Sequence, residues 1–576
     1  MKLMLHYIKN YKLLLFLDIL SVFSFALVEL GIPTIMAKMI DDGIAKSDMA
    51  VIWHWGVILV GIALIGGLGG VLLTYCSSKI STNVTRDIRN DIFKKAQDFS
   101  HNEYDKFGVS SMITRTTNDV FQIQMFLNVL LRMALMTPVM MVVSIAMTLS
   151  TSVRLSAVLG VCVPFIVLGV YIVAKVSHPW SSQQQKNLDG LNRISRENLT
   201  GIRVIRAFGN DDYESQRFHE TNTKYAKISK KLFKLMSSTQ PMFFFLLNLA
   251  MLGIFWISAG MINVGDLQVG QLVAFLEYQF HAMFSIMLFS MVFVMYPRAE
   301  VSAGRISEVL EEAPSITNPE NGVIKTDGEA TVEFSHVTFT YPGSDEPVLR
   351  DVSFSAKRGE TVAFIGSTGS GKSTLIHLIP RFYDVTEGQI LVDGVDVRNY
   401  DLAALRGKIG FIPQKALLFT GTIADNIRFG KEDATKEEME HAAKVAKSYD
   451  FIAKDAEGFE KQVSEGGQNF SGGQRQRLSI TRALVRKPEI YVFDDSFSAL
   501  DFKTDAQLRA GLKGETQNAI VFVVAQRVSS IMDADKIVVL DEGAVVGMGS
   551  HRELLKSCEI YREIAQSQLE KEELGI

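Results

Sequence analysis

Read for the order of apolar and polar positions, the chain divides into two unlike halves. In the first 300 residues, apolar stretches run near 13–40, 51–76, 125–149, 155–175, 241–264 and 272–296. Each has about 20 residues or more and can cross a hydrocarbon core about 30 Å thick as a helix. The first stretch carries Asp18 and Glu29 and runs into Asp41-Asp42-Gly43 without a small-residue cleavage pattern, which predicts a retained span rather than a signal peptide. Six spans return both ends of the region to one side. Segments 77–124 and 177–239 are rich in Lys and Arg, among them Arg86, Arg89, Arg193 and Arg203, whereas the short connections 41–50 and 265–271 hold only Lys46. Cytoplasmic loops carry such an excess. The amino terminus, both long loops and everything after 297 are therefore assigned to the cytosol. The long loops read as helical extensions of the spans, turning near Phe107-Gly108 and Phe208-Gly209-Asn210-Asp211.

After about residue 300 the pattern changes. Pro314, Asn318, Pro319, Asn321 and Gly322 mark a linker, and short β-rich runs at Thr361–Ile365, Ile390–Val392, Ile490–Phe493 and Ile520–Val524 alternate with helical segments. That alternation predicts an α/β domain with a largely parallel sheet. The expected organisation is a six-helix transmembrane domain over 1–310, a linker over 311–328 and a soluble α/β domain over 329–576. Composition adds two exclusions. With 59 Lys+Arg against 63 Asp+Glu the formal charge is -4, lacking the basic excess of a nucleic-acid binder. Cys76, Cys162 and Cys558 are too sparse for a disulfide framework and share no metal-ligand spacing.

The most specific chemistry lies in Gly366-Ser367-Thr368-Gly369-Ser370-Gly371-Lys372-Ser373-Thr374, which follows a predicted strand and opens a helix. This is a P-loop in its required context. Glycines let backbone N–H groups wrap the phosphates, Lys372 reaches the β/γ oxygens, and Ser373 is the candidate Mg²⁺ ligand. The strand Ile490–Phe493 delivers Asp494 to its carboxyl end, where a carboxylate can hold the metal's water shell.

Between these motifs stands Phe470-Ser471-Gly472-Gly473-Gln474. With it the chain resembles the ATP-binding-cassette (ABC) family, whose signature is Leu-Ser-Gly-Gly-Gln; Phe470 replaces the Leu. The resemblance runs from about residue 10 to about 570 and implies an α-helical membrane domain of six transmembrane helices with long cytosolic loops, followed by an α/β P-loop NTPase cassette. It implies ATP and Mg²⁺ as cofactors, Tyr341 stacking on adenine, Gln414 as a Q-loop residue touching Mg²⁺, and Ser498–Asp501 as a D-loop. It places at Val463–Gly467 a loop that senses the partner's coupling helix. The turns at 101–108 and 208–214 are implied to be coupling helices resting on the cassettes, the second on the partner's. In such exporters two halves assemble, and each nucleotide lies between one chain's P-loop and the other's Ser471, Gly472, Gly473 and Gln474.

Two positions depart from the family. The general base, normally Glu, is Asp495, one methylene shorter; the switch residue, in the family normally a His that contacts the γ-phosphate, is Gln526. A misplacement near 1 Å can cost about a hundredfold in rate, and an amide cannot carry an imidazole's charge. The expectation is a degenerate site that binds ATP and hydrolyses it poorly, in a heterodimer whose partner's P-loop is completed by this chain's signature. The alternative is a slow homodimer.

Charged groups within spans are costly and usually face a cavity or a partner, which makes Glu29, Glu277 and His281 candidates for substrate contact, with Asp18 beside them and Arg132 assigned mainly to structure. The expected cargo is a hydrophobic or amphipathic drug-like compound, exported across a bacterial plasma membrane in contact with lipid. Lipid flipping, peptide export and siderophore import on the same fold are alternatives, as is a regulatory subunit that only gates its partner. The few residues before the first span hold no peptidase domain, an expectation against dedicated export of leader peptides.

Overall fold

The computed structural model describes residues 1–326 and 330–569; positions 327 and 328 of the expected linker, and 329 and 570–576 of the expected cassette, lie outside them. The chain folds as two units, Met1–Gln97 with Val109–Glu312, and Asp98–Gly108 with the described residues from Ala313 onward. The short segment 98–108, predicted as part of a loop, thus belongs to the second unit.

In the first unit six apolar helices run over Lys2–Ile44, Met49–Asp98, Val109–Thr151, Val153–Phe208, Asp211–Asn263 and Val269–Glu311, each 43 to 56 residues long. At about 1.5 Å per residue such helices are more than twice as long as a hydrocarbon core is thick. Each predicted span is therefore the apolar part of a longer rod, and the basic loops are its extensions. In the most apolar stretch of each helix only 11% to 33% of residues are buried within the chain. Most of that surface faces outward, as a lipid environment requires.

Polar anchors join the rods near their ends. Tyr7 and Tyr11 donate to Asp91 and Asp87, each at 2.5 Å, tying the first helix to the second. Buried Asp119 accepts from Ser302 at 2.9 Å and from Arg305 at 2.5 Å, and Arg115 pairs with Glu308 at 3.0 Å, tying the third helix to the sixth. At the sixth helix's start, buried Asp41 accepts from the backbone N–H of Gly270 at 2.6 Å and of Gln271 at 3.1 Å. The first N–H groups of a helix have no partner within it, and a carboxylate there also meets the positive end of the helix dipole. Position 270 must be Gly for a steric reason: a Cβ would overlap the Ala37 carbonyl oxygen.

The second unit holds two larger sheets. The first is antiparallel, with β1 (Thr331–Phe339), β2 (Leu349–Lys357), β4 (Glu387–Val392) and β5 (Val395–Asp396) in the order β2-β1-β4-β5. The second contains β3 (Thr361–Gly366), β6 (Ile409–Ile412), β9 (Ile490–Asp494), β10 (Ile520–Val524), β11 (Lys536–Asp541) and β12 (Ala544–Gly549), in the order β12-β11-β3-β10-β9-β6. All its pairings are parallel except the β11–β12 edge. β7 (Gly421–Thr422) and β8 (Gln462–Val463) form a small ribbon leading into Glu465–Gly467. The parallel sheet expected from sequence is present, but Ile390–Val392 is not in it. That run pairs antiparallel with β1 because the turn at Asp393-Gly394 returns it at once as a hairpin, leaving no room for a crossover helix. β9 and β10 are buried along their whole length, which explains the apolar runs Ile490–Phe493 and Ile520–Val524.

Within this unit the helix His101–Phe107 is capped by Ser100 and Glu103, and Glu103 also accepts from the Ser315 N–H at 3.1 Å. The His101 ring stacks on Phe382 with centroids 4.6 Å apart, and Tyr383 donates to Asp105 at 3.3 Å. The segment 208–214 is a tight turn at Gly209, with Phe208 and Tyr213 exposed.

Asp41→Ala is expected to lower the thermal unfolding midpoint of the detergent-solubilised chain, with a loss of about 1 to 2 kcal/mol. Asp42→Ala, which removes only the exposed pair with Lys46, is expected to leave the midpoint unchanged.

Candidate functional site

Three parallel strands end together and assemble the site. Val524 of β10 lies opposite Phe364 of β3 on one side and Asp494 of β9 on the other. The segments that follow, the P-loop, Asp495 and Gln526, therefore leave the sheet side by side at its carboxyl edge, where open α/β sheets place their ligands. They line a cavity of about 880 Å³ with Gly366–Gly369, Gly371–Thr374 and Gln414. The loop turns into the helix Lys372–Leu378 at Gly371, which has φ +93 and where a Cβ would press on the Leu349 side chain.

Lys372 donates to the carbonyl oxygens of Gly366 at 3.0 Å and Ser367 at 2.7 Å, and to the Ser370 hydroxyl at 3.3 Å. Burial holds its ammonium below the usual lysine range, while the Asp495 and Asp494 carboxylates pull the other way. Ser373 donates to Asp494 Oδ1 at 2.8 Å, and Asp494 is buried. On its other oxygen, Asp494 Oδ2 lies 3.5 Å from His377 Nε2. His377 was not singled out from sequence, although it follows Ser373 by one helical turn and so shares its face.

Asp495 is held in an uncommon way. Its φ is +45, a left-handed conformation that Asp tolerates better than most residues. Its Oδ2 accepts from Gln526 Nε2 at 2.7 Å and from Gln414 Nε2 at 3.1 Å. Burial pushes its carboxyl above the ordinary range, opposed by the hydrogen bonds from Gln414 and Ser498. The two unusual positions noted in the sequence are thus direct partners. The hydroxyl of Ser373 and the amide of Gln414 line the cavity and the carboxylate of Asp494 is bonded to Ser373; these are hard oxygen donors, a set that suits Mg²⁺.

Tyr341 stands beside the P-loop, its hydroxyl 3.0 Å from that of Thr374 and its ring edge-on to Phe339 and Tyr383. The segment Ser471–Gln474 is elsewhere. Ser471 caps the helix Gly472–Leu484 in a reciprocal box with Gln474, and none of the four residues lines the P-loop cavity. Asp501 of the expected D-loop caps the helix Phe502–Glu515 through the Thr504 N–H at 2.9 Å.

Among the intramembrane candidates, Glu29 and His281 pair at 3.7 Å. Glu277, one turn before His281, is exposed and makes no ion pair among the described residues, and Arg132 is exposed as well. Asp18 is fully buried, and neither of its carboxylate oxygens has a hydrogen-bond partner among the described residues. On the fifth helix Phe243 is buried, whereas Phe244 and Phe245 are exposed.

Comparison with known proteins agrees with this geometry. Residues 15–287 match the family described as ABC transporter transmembrane region, and residues 349–498 match the family described as ABC transporter. The chain is 40% identical to an uncharacterized ABC transporter ATP-binding protein of Mycobacterium tuberculosis, over 94% of each chain. It is 38% identical to another from Bacillus subtilis, covering 99% of this chain and 98% of that one. It is 29% identical to the ATP-dependent lipid A-core flippase of Escherichia coli, over 93% of this chain and 92% of that one. Among solved structures it is similar to a bacterial Atm1-family ABC exporter with ATP bound, with TM-score 0.80, 25% identity, and coverage of 96% of this chain and 98% of that one.

Because Asp495 is buried with its carboxyl raised, folding favours the protonated acid. Its contribution to stability is full below the ordinary Asp value of about 3.9 and is lost as pH rises through the raised native value. Asp495→Asn stays neutral throughout. Its unfolding midpoint is expected to gain on the parent's progressively as pH is raised from the ordinary Asp range through the raised native value, measured by thermal unfolding.

Proposed function

Since the chain belongs to the ABC transporter family, as a fused half-transporter of the exporter type, we propose that it is one subunit of an ATP-driven exporter whose own P-loop site binds ATP and hydrolyses it poorly. It is a multi-pass membrane protein, and its cassette implies ATP binding and hydrolysis coupled to transport. The observation that carries the finer reading is the Asp495–Gln526 hydrogen bond at 2.7 Å. A general base must offer a carboxylate lone pair to water within hydrogen-bond reach. Here Oδ2 already accepts two amide hydrogens, on a side chain one methylene short of Glu. Gln526 donates to that carboxylate, and it has no imidazole charge with which to stabilise phosphoryl transfer.

In this reading Lys372 binds the phosphates, Ser373, Gln414 and Asp494 hold Mg²⁺, and Tyr341 carries the adenine. The bound ion neutralises charge on the phosphates. Support for a composite site comes from Ser471–Gln474, which stands at a helix start apart from the P-loop cavity and is available to a second chain. The partner is then a second ABC half-transporter carrying Glu and His at the two altered positions, and its P-loop is the one completed by this chain's signature. The setting is a bacterial plasma membrane, with the amino terminus and the cassette in the cytosol.

The cargo is proposed to be hydrophobic or amphipathic, with the Glu29–His281 pair and Glu277 as polar contacts in a largely apolar path. A second reading, lipid flipping, is favoured by the similarity to the lipid A-core flippase over nearly the whole chain. Reconstitution in liposomes separates the two: ATP-dependent movement of a fluorescent amphipathic dye supports the first, and of a fluorescent phospholipid the second.

Purified from its native membrane in mild detergent, the chain is expected to carry a second half-transporter at one-to-one ratio; self-pairing alone would overturn the heterodimer. The double variant Asp495→Glu, Gln526→His is expected to raise ATP turnover at this chain's P-loop by about a hundredfold, and unchanged turnover would refute the degenerate-site reading.

A further inference from the structure

The helix Glu559–Gln568 forms one wall of the P-loop cavity, through Ile560, Glu563, Ile564, Ser567 and Gln568. It is firmly seated. Tyr561 and Ala565 are fully buried, the Tyr561 hydroxyl meets His551 Nδ1 at 2.6 Å, and Arg562 Nε donates to the Leu555 carbonyl at 2.8 Å. From its end, Gln568 reaches the segment that carries Gln526 with both ends of its amide. Nε2 donates to the Gln526 carbonyl at 2.9 Å, and Oε1 accepts from the Val528 N–H at 2.8 Å.

These two bonds fall where the sheet no longer supports the chain. The Ala525 N–H still donates to Phe364 at 3.2 Å, and the next regular structure is the turn Val528–Ser530. Between them one side-chain amide supplies the donor and the acceptor that a neighbouring strand would have offered. The backbone so held is the one from which Gln526 donates to Asp495.

We propose that Gln568 is a positioning residue for the switch loop, by which the last described helix sets the reach of Gln526 into the nucleotide site. The inference rests on the reading of Gln526 as the switch residue that faces the γ-phosphate. Gln568 acts through the backbone of residues 526 and 528 and not on the nucleotide. Displacing the helix would release both bonds together, so the helix position and the switch loop are mechanically linked.

The test uses the full-length protein with any co-purifying subunit in lipid nanodiscs. Hydrogen exchange is read at residues 525–530, and nucleotide preference by competing ATP or ADP against 8-azido-ATP photolabelling of this chain. Gln568→Ala is expected to speed exchange of the Val528 amide by about tenfold or more, since a local opening replaces a closed hydrogen bond. It is also expected to lower ATP affinity by about fivefold, the size of one net hydrogen bond, with ADP affinity unchanged. Gln568→Glu, which keeps the acceptor for Val528, is expected to restore protection of that amide. Unchanged exchange in Gln568→Ala, or a parallel loss of ATP and ADP affinity, would overturn the positioning role. Gln526→Ala separates the two failures. If it leaves the ATP-to-ADP preference unchanged, the switch reading fails and the proposal with it; if it lowers the preference and Gln568→Ala does not, only the positioning role fails.

Discussion

The parallel register of β3, β10 and β9 is the constraint on which the site depends. Val524 is held between Phe364 and Asp494, so the loops leaving the three strands emerge at one edge. Ser373 can then reach Asp494, and Gln526 can reach Asp495, without any loop having to stretch. The register is secured by burial. β9 and β10 contribute only buried residues, and sliding either would move packed apolar side chains out of fitted positions.

Within that frame the unusual feature is a pair and not two separate departures. Asp495 is short, left-handed at φ +45 and buried, and Gln526 donates to it. Glu in place of Asp would extend the carboxylate past this amide, and His in place of Gln would change what it meets. Each residue suits the other, the short side chain leaving its carboxylate within reach of the amide. His377 on Asp494 and Gln568 on the backbone of Gln526 and Val528 show that the same edge is held from two further helices.

The membrane unit follows a different rule. Its rods are joined near their ends by polar groups, Asp41 at the start of the sixth helix and Asp119, Asp87 and Asp91 at the opposite ends, with apolar packing between. Most of the apolar surface is left facing outward. Asp18 departs from this arrangement, a buried carboxylate within the span that has no hydrogen-bond partner among the described residues.

The six spans, the turns at Gly108 and Gly209 and the four β-rich runs were legible in the sequence because each is a local pattern of apolar positions, turn residues and motif spacing. The P-loop was legible for the same reason: its nine residues carry their chemistry wherever the strand before them is placed. The sequence did not reveal that Ile390–Val392 joins an antiparallel sheet, since a short apolar run looks alike in either. Nor did it reveal that Asp41 caps a helix 229 residues away, or that Gln568 holds the backbone of Val528. Such bonds join positions with no periodic relation along the chain. By itself, then, the sequence determined the six spans, four of the strands and the phosphate loop. Only the tertiary structure decided which distant polar groups satisfy one another, because a buried donor takes the nearest acceptor in space, and nearness in space is set by packing.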